Sequence, residues 1–168
     1  MKLILVMALT ADGKIGRDSS HFPDWTEPSD KKLFMSVSKA AGVIIMGART
    51  FDTLGKPLPG RKHIVLTQNK ERRTSSENLV FTQKRPADIL HDLGAEGYDT
   101  AILAGGARIN YLFAKENLID EIILTYSPKL FGTGLSLFSN SVHMDLELLE
   151  HRRIGKNTLQ AVYRVIKN

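Results

Sequence analysis

Apolar residues arrive along this chain in two rhythms, and the switching between them sets the fold expectation. Short, nearly unbroken apolar runs occupy positions 2–9, 43–47, 63–67 and 100–104, each closed by turn-forming or small residues, and they predict buried strands. Between them the apolar spacing changes to three and four. Leu33, Phe34, Val37 and Ala41 mark a helix opening at Pro28, which suits a first helical turn because its missing N–H would be unpaired there anyway. Asp30 falls in that turn, toward the positive end of the helix dipole. A second helix is predicted from Pro86 through Ile89, Leu90 and Leu93 to a stop at Gly94, and a third from Ala107 through Ile109, Leu112 and Phe113. Strands alternating with helices predict parallel neighbours, which need crossover connections, and helices on both faces of the sheet. Positions 120–126, 145–152 and 158–166 then follow as successive strands, so the sheet is expected to finish antiparallel. The expectation is one α/β domain spanning residues 1–168.

Composition narrows the class. At 168 residues one core is enough, and 42% apolar with 24% charged residues excludes disordered and collagen-like chains. The absence of cysteine removes disulfides, thiolate metal sites and cysteine nucleophiles, and it fits a reducing compartment. The opening Met1-Lys2-Leu3-Ile4-Leu5 has the charge and apolar run that begin a signal peptide. It leads into Thr10-Ala11-Asp12-Gly13-Lys14 instead of a small-residue cleavage site, so it reads as a first strand. No apolar stretch approaches the roughly 20 residues that cross a bilayer. A soluble, cytoplasmic protein with no membrane partner is expected. The formal charge of +5 is scattered apart from Arg72-Arg73, Lys84-Arg85 and His151-Arg152-Arg153. A nucleic-acid groove binder needs a continuous basic stripe, so a solvated basic surface is the expectation. The five histidines show no metal-ligand spacing, and no metal is expected.

In an open α/β sheet, ligands bind beyond the carboxyl ends of the strands, so candidate chemistry lies in the loops leaving them. The strand at 100–104 runs into Gly105-Gly106-Ala107-Arg108 and a helix, a turn where backbone can approach a ligand and where helix N–H groups suit phosphate. It lacks the G-x-G-x-x-G fingerprint of the Rossmann fold. The strand at 43–47 ends in Gly47-Ala48-Arg49-Thr50-Phe51, where Arg49 and Thr50 suit an anion, or an exposed arginine beside an N-cap. The chain continues through Lys56-Pro57-Leu58-Pro59-Gly60-Arg61, a rigid turn that delivers a guanidinium suited to bidentate capture of a carboxylate.

The stretch at 43–67 resembles the signature region of the dihydrofolate reductase family, in which a glycine-arginine-threonine segment precedes a proline-leucine-proline-glycine-arginine turn. The likeness extends over nearly the whole chain. Ala8, Asp12-Gly13-Lys14-Ile15-Gly16 and Trp25 resemble the family's first strand and mobile active-site loop. Asp30 falls where the family has its active-site carboxylate, and Leu124-Thr125 resembles its substrate-side strand. The resemblance implies a mainly parallel sheet of about eight strands with antiparallel C-terminal strands, NADPH across the carboxyl edge and dihydrofolate in the adjoining cleft. It assigns Asp30, Thr125 and Trp25 to catalysis. Ala8, Phe34 and Arg61 join Asp30 and Thr125 at the substrate, with Arg61 on the folate α-carboxylate. Ile15, Gly16, Gly47, Arg49, Thr50, Thr67, Gly105, Gly106, Ala107 and Arg108 surround the cofactor.

Three departures stand out: Ala48 where many members have a phosphate-binding arginine, Ala107 for a third glycine, and Asn110 where a tyrosine often stands. The implied reaction is hydride transfer to the pterin imine, with the loop at 10–25 excluding water. A small-molecule enzyme, monomeric or homodimeric and independent of nucleic acid, is expected. Ala11-Asp12-Gly13-Lys14-Ile15, Asn117-Leu118-Ile119-Asp120-Glu121 and Phe131-Gly132-Thr133-Gly134 also resemble the riboflavin-pathway reductases of the same superfamily. Their substrate, a ribosylaminopyrimidine phosphate, is the alternative. A non-catalytic nucleotide-binding or nucleic-acid-binding module is a third reading, distinguished by salt-sensitive polyanion binding without NADPH oxidation.

Overall fold

The structure, a computed structural model, describes residues 1–19, 21, 23–74 and 76–167. Its elements run β1 (Lys2–Thr10), β2 (Lys14–Gly16), α1 (Pro28–Ala41), β3 (Val43–Gly47), α2 (Ala48–Leu54), β4 (Lys62–Leu66) and β5 (Leu79–Thr82). They continue with α3 (Pro86–Ala95), β6 (Thr100–Leu103), α4 (Ala107–Ala114), β7 (Glu121–Ser127), β8 (Leu135–Ser136), β9 (Asp145–Arg153) and β10 (Leu159–Ile166). Eight strands form one sheet in the order β5-β4-β3-β6-β1-β7-β10-β9, and β2 pairs with β8 apart from it. The first six strands of that order run parallel, while β10 lies antiparallel between β7 and β9. The parallel sheet with an antiparallel finish is therefore present, and each predicted element lies within one residue of its expected bounds.

Side chains alternate across each strand, so the two faces collect separate cores. Leu3 and Leu5 of β1, with Val43, Ile45 and Leu103, pack against Ile89 and Leu93 of α3 and Ile109 and Phe113 of α4. On the other face Val6, Ile102 and Ile123 meet Leu33, Phe34 and Val37 of α1, and Ile44, Met46 and Val65 meet Phe51 of α2. Fully burying one such side chain contributes about 1.5–3 kcal/mol, which fixes the helices over the sheet.

Gly94 is not the stop of α3, which runs on to Ala95. A helical glycine costs only about 1 kcal/mol against alanine, and the left-handed backbone that turns the chain falls at Gly97, with φ of 90°. Elements absent from the sequence expectation are β2, β5 and β8, each of four residues or fewer, and the seven-residue α2 as a complete helix. β2 and β8 carry one apolar residue each and β5 only Leu79 to Phe81, against the four from Ala101 to Ala104 that marked β6, and seven residues of α2 span barely two helical turns. Among the described residues no helix is long and apolar enough to cross a membrane.

Candidate active site

The parallel strands present their carboxyl ends along one edge. Near it, Ala8 of β1 stands opposite Thr125 of β7, and Thr125 stands opposite Gln160 of β10 on its other side. Thr125 is 1% exposed, so its hydroxyl requires a partner, and Oγ1 donates to Oδ1 of Asp30 at 2.5 Å. Asp30 reaches the strand because α1 begins at Pro28 after extended backbone at Glu27, whose carbonyl accepts the Asp30 N–H at 3.0 Å. Phe34 lies one helical turn further on the same side of α1 and belongs to both core clusters beneath it. The structure thus gathers Ala8, Asp30, Phe34 and Thr125.

The segment from Thr10 to Trp25 lies against the chain that follows β7; positions 20 and 22 of it fall outside the described residues. Thr10 Oγ1 donates to Asp12 Oδ1 at 2.5 Å, and the Asp12 carboxylate also accepts the N–H groups of Phe131 at 3.2 Å and Gly132 at 2.7 Å. The Thr10 hydroxyl first, and these N–H groups with it, hold the Asp12 carboxyl below the ordinary carboxylate range against a partial loss of hydration. Phe131 then receives Trp25 edge-on at 5.4 Å and the Arg17 guanidinium over its ring at 4.4 Å. Trp25 Nε1 is buried and has no hydrogen-bond partner among the described residues. Ile15 packs on the larger core, and Gly16 pairs with Leu135 of β8.

A second patch forms where β3 and β6 end. The Gly47 N–H donates to the Gly105 carbonyl at 2.8 Å, and a Cβ on Gly47 would stand 2.8 Å from Ile109 Cγ1. Only glycine permits that approach. Gly105, with φ of 87°, is joined to Gly106 by a cis peptide bond, and Thr50 Oγ1 lies 3.7 Å from the position of a Gly106 Cβ. Gly47, Thr50, Gly105, Gly106 and Ala107 therefore adjoin, with Arg49 and Arg108 exposed at the starts of α2 and α4. Thr67 sits just past β4, its hydroxyl accepting the Asn69 N–H at 3.1 Å.

Arg61 has its guanidinium largely enclosed between its own turn and α1. It is 5% exposed, and Nε donates to the Pro59 carbonyl at 3.1 Å while Nη1 donates to Ser38 Oγ at 3.0 Å and approaches the Met35 carbonyl and Sδ at 3.5 Å. Nη2 makes none of these bonds. Behind this turn His63 is fully buried, accepting the Leu58 N–H on Nε2 at 3.2 Å and meeting the Arg61 carbonyl through Nδ1 at 3.1 Å. Since Leu58 N–H must donate, the ring proton belongs on Nδ1, and both nitrogens are satisfied in the neutral ring. Burial is the main reason the His63 pKa lies below its ordinary value. Its bonds to the backbone of Arg61 and Asn78 work the other way, and the charge of Arg61 adds to the lowering.

The bonds of Asp12 to residues 131 and 132 were invisible in the sequence, because a separation near 120 positions leaves no local signal. Asn110 is likewise unexpectedly committed: it is fully buried and donates from Nδ2 to the Leu137 carbonyl at 2.9 Å. A surface cavity of about 640 Å³ lined by Lys62, Asn78, Val80 and Tyr98 opens at the amino ends of β4 and β5, opposite the edge that gathers these groups.

The architecture is a mixed α/β fold with a mainly parallel eight-stranded sheet, shared with solved structures. A putative riboflavin biosynthesis protein from Shewanella sp. PV-4 superposes with a TM-score of 0.80 at 23% identity, over 99% of this chain and 100% of that one. The RibD protein of Acinetobacter baumannii gives 0.86 at 15% identity, over 99% of this chain and 58% of that one. The family model for dihydrofolate reductase matches residues 2–161. Dihydrofolate reductase type 9 of Escherichia coli is 32% identical across 88% of this chain and 78% of its own length; type A13 of the same organism is 36% identical across 78% and 77%. The chain belongs to the dihydrofolate reductase family, and so is an oxidoreductase with a small-molecule substrate.

Proposed function

We propose that this protein reduces 7,8-dihydrofolate to 5,6,7,8-tetrahydrofolate with NADPH, as a cytoplasmic, single-domain enzyme. The observation that carries this reading is the Asp30 carboxylate at the carboxyl edge, bonded through Oδ1 to Thr125 and with no hydrogen-bond partner on Oδ2 among the described residues. In that role Asp30 accepts paired N–H groups from the amidine-like edge of the pterin, and its charge favours protonation of the imine, the proton arriving through water. Thr125 holds the carboxylate in place, Phe34 and Ala8 wall the ring, and the Trp25 segment excludes water. NADPH fits the glycine-lined patch, where Gly105 and Gly106 bring bare backbone to the start of α4 and the nearest atom to a Gly106 Cβ would be Thr50 Oγ1 at 3.7 Å. When bound, the cofactor supplies the hydride. Ile15, Gly16, Thr50 and Thr67 border it, and Arg49 and Arg108 take its phosphates, Arg49 standing in for the arginine that Ala48 replaces.

A specific observation favours the riboflavin-pathway pyrimidine as a second reading: Arg61, which would hold the folate tail, is turned inward. NADPH oxidation assayed with dihydrofolate and with that pyrimidine phosphate side by side tests both. Turnover of dihydrofolate supports the first reading, and turnover of the pyrimidine alone replaces it with the second. NADPH is expected to be preferred over NADH by about tenfold to a hundredfold, the worth of one ionic contact to the extra phosphate. Equal specificity constants would remove Arg49 from that contact.

A further inference from the structure

Glu27 occupies the N-cap position of α1, yet its side chain bonds to none of the helix's own N–H groups. Glutamate is a poor cap compared with serine, aspartate or asparagine. Its carboxylate turns instead to the connection between β9 and β10, where Oε1 accepts the Asn157 N–H at 3.1 Å. Oε2, together with Ser29 Oγ, occupies the space that a Cβ on Gly155 would need. Gly155 is not in the left-handed region, so the glycine there provides room and not an unusual dihedral angle. The same Glu27 accepts the Asp30 N–H on its carbonyl at 3.0 Å.

We propose that Glu27 is a positioning residue for Asp30, anchored to the β9–β10 connection so that the backbone of the first helical turn is fixed while Thr125 fixes the carboxylate. The inference rests on the reading of Asp30 as the group that meets the substrate. The two holds share a foundation: the connection leads into β10, whose Gln160 pairs with Thr125 on β7. Asp30 is thereby held at Oδ1 by β7 and at its N–H through Glu27, which is tied to the connection entering β10. Small displacements of a catalytic group cost disproportionately in rate, so a brace at the helix start acts on turnover more than on binding.

The test compares wild type, Glu27→Ala, Glu27→Gln and Gly155→Ala, following the ¹³Cγ resonance of Asp30, assigned with Asp30→Asn, and single-turnover hydride transfer across pH. Glu27→Ala is expected to move the Asp30 resonance, displace the pH profile and slow hydride transfer about fivefold to twentyfold, with KM changed less than about twofold. Gly155→Ala, which crowds both the Glu27 carboxylate and Ser29 of the first helical turn, should impair hydride transfer at least as much. Glu27→Gln keeps an acceptor for the Asn157 N–H and should stay within about twofold of wild type. A Glu27→Ala protein that loses only thermal stability, with the Asp30 resonance and pH profile unmoved, overturns the proposal, as does a Glu27→Gln protein as impaired as Glu27→Ala. The resonance needs no substrate. If wild type reduced neither dihydrofolate nor the pyrimidine, the reductase reading would fall while the resonance still decided whether Glu27 holds Asp30.

Discussion

Asp30 and Arg61 are the two charged residues that the family resemblance would set at opposite ends of one substrate, and the structure treats them differently. Asp30 stands half-buried in the first turn of a 14-residue helix, with one side-chain donor on one of its two oxygens. Arg61 closes a proline turn at 5% exposure, with bonds to Pro59 and Ser38 and further contacts to Met35. Both carry the residue type their chemistry needs. What separates them is unused bonding capacity: the carboxylate has an oxygen to offer, whereas two of the three guanidinium nitrogens are engaged, Nη1 fastening the turn to α1 and Nε bonding the turn's own Pro59 carbonyl. Charge type is legible from sequence, but availability is set by what folds around it.

Asp30→Asn gives the sharpest version of this contrast, because it keeps the shape and removes the charge. Dihydrofolate turnover is expected to fall about 100-fold or more at neutral pH, with NADPH affinity changed less than about twofold. Lowering the pH should restore part of the rate as solvent supplies protonated substrate. Stopped-flow hydride transfer across pH measures both; an unimpaired variant would reduce Asp30 to a partner of the helix dipole and remove the difference from Arg61.

Arg61→Ala should act on stability first. It deletes charge-assisted bonds inside the protein and leaves the buried Ser38 hydroxyl without its donor, so a loss of about 2 kcal/mol is expected in a denaturant titration. If Nη2 also holds the folate carboxylate, KM for dihydrofolate rises about tenfold or more, while a pterin lacking the glutamate tail is unaffected. Equal penalties for both ligands would make Arg61 wholly structural and favour the riboflavin-pathway substrate.

Seven of the eight strands of the central sheet and three of the helices were legible, the strands as apolar stretches closed by turn or small residues and the helices by their three- and four-residue spacing; β5 was not. The runs at 2–9 and 100–104 and the spacing of Leu33, Phe34 and Val37 record burial directly. The glycines at 47, 105 and 106 were legible for a related reason, since each marks a strand-to-helix turn where backbone comes close to something. The Asp12 bonds to Phe131 and Gly132, the Glu27 bond to Asn157 and the inward turn of Arg61 were not. Each depends on two distant segments meeting, and nothing in a run such as Phe131-Gly132-Thr133-Gly134 announces that its N–H groups will be taken by a carboxylate near the start of the chain. Resemblance to a family pointed to Asp30 and Thr125, whose side chains meet at 2.5 Å, and to Arg61, whose guanidinium is enclosed by its own turn and α1.

The Arg61 turn depends on His63 in a way that pH exposes. The neutral ring satisfies both neighbours, with Nδ1–H donating to the Arg61 carbonyl and Nε2 accepting the Leu58 N–H. A second ring proton would point at the Leu58 N–H and bring a charge into a fully buried site beside Arg61. The folded protein therefore resists protonation that the unfolded chain accepts near pH 6.5. Unfolding takes up a proton in that window, so the contribution is constant above it, declines as pH falls below about 6.5, and levels off once the folded ring titrates. Its slope cannot exceed about 1.4 kcal/mol per pH unit for one group. Denaturant midpoints from pH 8 to pH 5 should fall in wild type and fall less in His63→Gln, which cannot titrate; the difference isolates His63 from the four other histidines. Parallel curves would show that protonation is tolerated at position 63, and that the turn carrying Arg61 is looser than its hydrogen bonds require.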